Sequence, residues 1–161
     1  MRSLILLVLF LCIPAALAAD WGSYANARFG YAIGVPPGFS GEGEADNGDG
    51  QLFNSDDGTQ LLRVYGGNVI EDSFEAAVGD LMVYARDDGW ALSYKRVTPS
   101  WASWSGSRNG VVLYARMIAL CSGTQYAAFE LEYPERDLQA MNPVVERLVG
   151  SLRATGDAAG C

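Results

Sequence analysis

The sequence predicts an α+β domain, a mostly antiparallel sheet of about six or seven strands with two helices packed against it. Three observations carry this expectation. Short apolar runs recur between Asp-Gly, Asn-Gly and Ser-Gly pairs, as they do in hairpins. Two other stretches repeat apolar residues at every third or fourth position, as helices do. The order is strands, helix, four consecutive strands, helix, and tight turns dominate the connections.

The chain opens with Met1-Arg2-Ser3, a basic start, then the apolar run Leu4 to Ile13, Pro14 and the small-residue site Ala16-Leu17-Ala18. That is the pattern of a secretory signal peptide over residues 1–18. A membrane-spanning helix needs about 20 apolar residues in a row, and Pro14 breaks this run early. Leu11 stands where a lipoprotein signal has a small residue, so lipidation of Cys12 is not expected. The mature chain is expected to be one soluble domain over residues 19–153 with a flexible tail at 154–161, in the periplasm or secreted.

Tyr31 to Val35 reads as the first strand, ended by Pro36-Pro37-Gly38. The acidic, glycine-rich stretch Gly41 to Gly50 reads as a solvated, mobile loop. Gln51 to Ser55 and Gln60 to Tyr65 read as strands flanking the turn Asp56-Asp57-Gly58. Asp72 with Glu75 fits a capping box, and Phe74, Ala77, Val78, Leu81 and Ala85 form one helical stripe that Asp88-Gly89 ends. Strands are then expected at Trp90 to Val97, Trp101 to Ser107, Val111 to Leu120 and Gln125 to Tyr133. Val111 to Leu120 is apolar on both parities apart from Arg116, as suits a central strand. A last helix is expected to start at Asn142 as N-cap with Pro143 in its first turn, burying Val145, Leu148, Val149 and Leu152.

Three stretches carry a resemblance. They are Asn26-Ala27-Arg28-Phe29-Gly30-Tyr31 running into Val35-Pro36-Pro37-Gly38-Phe39, then Asn47-Gly48-Asp49-Gly50 with Phe53 and Ser55, and the closing Glu132-Tyr133-Pro134. With the element order, they make the chain similar to small secreted bacterial proteins of PsbP-like fold, an α/β/α sandwich around an antiparallel sheet. That fold is shared by extrinsic photosystem proteins, a Ran-binding nuclear import factor and bacterial envelope proteins. The resemblance implies a non-enzymatic envelope protein that binds something, and it carries over no catalytic residue.

Composition excludes several chemistries. With no histidine, Ser-His-Asp and Cys-His catalysis and His-ligated zinc are absent. There is no G-x-S-x-G elbow, no S-x-x-K around the single lysine, Lys95, and no phosphate-cradling glycine loop. Without Arg2 the mature chain carries 10 basic against 19 acidic residues, a net charge of −9. Such a surface repels phosphate backbones, so nucleic acid is not an expected partner; another protein is.

Four features merit naming. Cys121 and Cys161 are an even pair expected to form a disulfide that pins the tail and, at this separation, stabilises by roughly 3–4 kcal/mol on the chain-entropy view. Asp46, Asp49, Asp56 and Asp57 are a candidate calcium set, although the spacing misses the EF-hand register. Tyr94, Trp101 and Trp104 are a candidate binding surface; Trp101 and Trp104 have opposite strand parity, so at least one is expected in the core. Glu130 and Glu132 share a strand face and are the pair a carboxylate-based hydrolase of envelope glycans would need. The leading expectation is an exported, non-catalytic interaction module, either an envelope assembly factor or an inhibitor or immunity protein.

Overall fold

Hairpins build the molecule, and the computed structural model describes it over residues 20–156 and Cys161. The expected signal segment 1–18, residue 19 and residues 157–160 of the expected tail lie outside the described residues. Seven strands form one antiparallel sheet: β3 (Phe39–Glu44), β4 (Gly50–Ser55), β5 (Leu61–Asn68), β6 (Ala91–Val97), β7 (Trp101–Arg108), β8 (Val111–Leu120) and β9 (Gln125–Pro134). Their spatial order is β3-β4-β5-β9-β8-β7-β6. A smaller antiparallel sheet sets β2 (Tyr31–Val35) between β1 (Gly22–Asn26) and β10 (Arg153–Ala154). The helices are α1 (Phe74–Asp87) and α2 (Leu138–Ser151). The fold is α+β, as expected.

The turns do what their residues favour. Asn109 and Gly110 both take positive φ, 52° and 78°, as a tight two-residue hairpin between β7 and β8 requires. At the β4–β5 turn the Asp57 carboxylate accepts from the Ser55 hydroxyl and from the Thr59 backbone N–H and hydroxyl.

Alternation splits the large sheet into two faces, each with its own core. Leu62, Val64, Val112, Phe129, Leu131 and Tyr133 face one side, where they pack with Tyr31, Ile33 and Val35 of β2 and Met141 and Leu148 of α2. Ala102, Trp104, Ala115, Met117 and Ala128 face the other, beneath Phe74, Ala77, Val78 and Met82 of α1. The alanines let α1 sit close over β7, β8 and β9. Two buried cores on opposite sheet faces make this a layered sandwich.

Four expectations are corrected. Helix α1 is capped by Ser73, whose Oγ accepts from Ala76 N at 3.1 Å, not by Asp72. Helix α2 begins at Leu138, so Asn142 and Pro143 lie inside it. Met141 is buried against the core and holds the extra turn down, while the Pro143 ring points to solvent and forgoes one backbone bond. The acidic stretch is half strand: β3 runs to Glu44, with Gly43 at φ 99° where its pairing with β4 shifts register. The tail is ordered where it leaves α2, since Ala154 pairs with Tyr31 and Thr155 N donates to the Gly30 carbonyl at 2.8 Å.

Candidate functional site

Helix α1 spans 14 residues, about 21 Å at helical rise, and covers the β6–β7 end of its sheet face and the adjoining Ala115, Met117 and Ala128. Beyond it, on β5 and β9, the outward side chains are polar and require no cover: Arg63 beside Glu130 and Glu132. A cleft of about 510 Å³ opens there between the β3–β4 hairpin and the sheet, lined among others by Glu42, Asp49, Leu52, Arg63, Tyr65 and Glu130. A second cleft of about 360 Å³ shares Arg63 and Glu130 with it and runs on to Leu81, Tyr84 and Asp88 of the α1 end. Together they form one groove along the open part of this face.

Its polar groups are largely committed to each other. Arg63 Nη1 lies 2.6 Å from one Glu130 oxygen, and the Tyr65 hydroxyl donates to the other at 3.1 Å. Glu132 stands 4.0 Å from the same guanidinium. Burial, reinforced by the Glu130 carboxylate, pushes the Tyr65 phenol well above its ordinary value, so it remains a donor. Acid–base work by two carboxylates needs environments that set them apart. Here both lean on one arginine, Glu130 in direct contact and with Tyr65 as a second donor, Glu132 only at 4.0 Å. Counting side chains, Glu42, Asp49, Asp88, Glu130 and Glu132 outnumber Arg63 and Arg108, so the groove is acidic.

The structure divides the other sequence candidates. Asp46 and Asp49 lie at the β3–β4 turn and Asp56 and Asp57 at the β4–β5 turn, at opposite ends of the six-residue β4. They do not come together, and among the described residues no group of three or more acidic or cysteine side chains is placed to hold a metal ion. The Asn47-Gly48-Asp49-Gly50 stretch is held from behind instead. Asn26, buried, has its Nδ2 2.8 Å from Glu44 Oε1 and 2.9 Å from the Gly48 carbonyl, while its Oδ1 accepts from Phe29 N. The Asp49 carbonyl accepts from both the Tyr31 hydroxyl and Gly66 N, and the Arg28 guanidinium donates to the Asn47 carbonyl. Two stretches singled out in the sequence are therefore parts of one scaffold.

Trp104 is 1 % exposed beneath α1 and is core. Tyr94 and Trp101 share the opposite sheet face, Tyr94 exposed and Trp101 half-buried. Cys121 and Cys161 lie within disulfide distance, with Cα atoms 5.1 Å apart. Sequence reasoning found Glu130 and Glu132 but missed Arg63 and Tyr65, which reach them only through the β5–β9 pairing. No helix of the described residues is long and apolar enough to cross a membrane.

No family model matches the chain, and no curated protein sequence does. Solved structures do. The solution structure of cyanobacterial PsbP (CyanoP) from Synechocystis sp. PCC 6803 superposes with a TM-score of 0.63 at 13% identity, over 89% of this chain and 96% of that one. The crystal structure of the Saccharomyces cerevisiae Ran-binding protein Mog1p superposes with a TM-score of 0.58 at 13% identity, over 85% of this chain and 96% of that one. At such identity the likeness is one of fold, and the fold is PsbP/Mog1-like.

Proposed function

We propose that the protein is an exported, non-catalytic binding module that engages another protein through the acidic groove beside Arg63. The observation that carries this reading is the groove itself, a preformed cleft in which Arg63 is paired with Glu130 and the rest of the lining is apolar and acidic. Its occupant is a basic segment of the partner, a lysine or arginine among apolar residues, which matches the excess of carboxylates. Tyr84, 68 % exposed at the α1 end, supplies an aromatic anchor of the kind that dominates interfaces. A fold shared with a Ran-binding protein supports protein recognition on this scaffold. The signal pattern of Met1 to Ala18 and the Cys121–Cys161 pair support an oxidising, exported setting. Both an assembly factor and an inhibitor of a basic protein use such a surface.

The test is a pull-down with the purified protein from native envelope and culture-supernatant extracts, run beside Leu52→Lys and Tyr84→Glu. A single stoichiometric protein, held by the wild type and released by either variant, is expected. Turnover of a glycan, ester or peptide substrate that Glu130→Gln abolishes without unfolding the domain would replace this reading with a carboxylate hydrolase.

A further inference from the structure

On the opposite face, the β6–β7–β8 end of the large sheet presents a different chemistry. Register places Arg96, Ser103 and Arg116 side by side across the three strands, and Tyr94, Ser105 and Tyr114 in the next row. Along β7, Ser103 is buried and Ser105 partly buried, so small side chains lie between two taller walls. Trp101 joins the arginines: the Arg116 guanidinium lies over its ring at 4.2 Å and that of Arg96 at 5.3 Å. Two like charges are thus gathered on one indole.

Neither has an anion among the described residues. The chain has 19 acidic residues, yet the ion pairs among the described residues involve Arg63, Arg108 and Arg136 and neither of these two. Arg116 donates from Nη1 to Ser103 Oγ at 3.2 Å, and its Nε is buried with no partner among the described residues. Burial pulls this guanidinium below its ordinary value, and the titratable groups acting against that shift are the phenols of Tyr114 and Tyr94. A partly desolvated charge is costly unless a carboxylate or similar group completes it.

The geometry points to this face as a second docking site, for an acidic segment of a partner protein, with a carboxylate on the Arg96–Arg116 pair and its neighbours against Trp101 and Tyr94. Arginine, tryptophan and tyrosine together are the composition of interface anchors. A long polyanion is disfavoured because the rest of the surface is acidic, with a net charge of −8 over the full chain. A short acidic segment meets only the local positive patch. The site lies across the sheet from the groove and does not depend on it.

Titration of the purified protein with a hexaglutamate peptide at low salt, followed by tryptophan fluorescence, tests the assignment, with hexaglutamine as control. Hexaglutamate is expected to bind and hexaglutamine not. Arg96→Gln, at an exposed position, is expected to weaken binding about tenfold. Arg116→Lys keeps the charge but loses the planar stack and weakens it as well, whereas Leu52→Lys in the groove has no effect. Binding of hexaglutamate that is absent, or equal in Arg96→Gln and wild type, would overturn the proposal. So would heparin that binds these arginines more tightly than the peptide, which would assign the face to an anionic polysaccharide.

Discussion

Asn26 is a residue whose importance rests entirely on distance along the chain. Its side chain meets Glu44 and the Gly48 carbonyl, 18 and 22 positions away, and satisfies the buried Phe29 N–H. Asn26→Ala leaves that N–H unpaired and frees the acidic turn. A loss of about 2 kcal/mol is expected in urea unfolding, against less than about 0.5 for Asp46→Ala on the exposed side of the same turn. The sequence displays Asn26 and Asn47 to Gly50 as separate stretches, and nothing local says that they touch. Parity did say that Trp101 and Trp104 face opposite ways. Which one is buried was not legible, because α1, which covers Trp104, is drawn from elsewhere in the chain. Glu130 and Glu132 were legible as a pair for the same reason of parity. Arg63 was not, since it meets Glu130 across 67 positions.

Elements were read well where local chemistry sets them. The runs that became β2, β4, β5, β6, β7, β8 and β9 carry alternation or apolar continuity, and most of their turns carry Asp-Gly, Asn-Gly or Ser-Gly. Strands β1, β3 and β10 escaped because their residues are small, charged or few, and only pairing makes them strands. Boundaries failed where two good signals compete. Both Asp72 and Ser73 are able caps, and the backbone of Ser73, extended at φ −160°, takes the position. Ser73→Ala is expected to destabilise by about 1 kcal/mol and Asp72→Ala by a few tenths, a comparison that thermal unfolding of the two variants settles. In α2 the Asn142-Pro143 signal is real but weaker than the burial of Met141 a turn earlier.

At the scale of the molecule, the buried phenols tie stability to alkaline pH. Burial raises Tyr24, Tyr31, Tyr65, Tyr126 and Tyr133 above the ordinary tyrosine value, Tyr31 and Tyr65 the most. Above about pH 10 the unfolded chain sheds these protons while the folded one keeps them, so it binds fewer protons and stability falls as pH rises. The contribution is complete below about pH 10 and is lost through the raised folded values. The phenolate absorbance of these five is expected to appear together with loss of circular dichroism, in one step, rather than as independent titrations. The strand order has another consequence, for the time at which the fold can close. Strand β9 lies at the centre of the large sheet, between β5 and β8, yet it is the last of the seven to be synthesised. Until Gln125–Pro134 has left the ribosome, β3-β4-β5 and β6-β7-β8 are two hairpin stacks with an unpaired edge each and no shared core. The nascent chain is therefore held back from its native state until almost all of it exists, as the export proposed above would require.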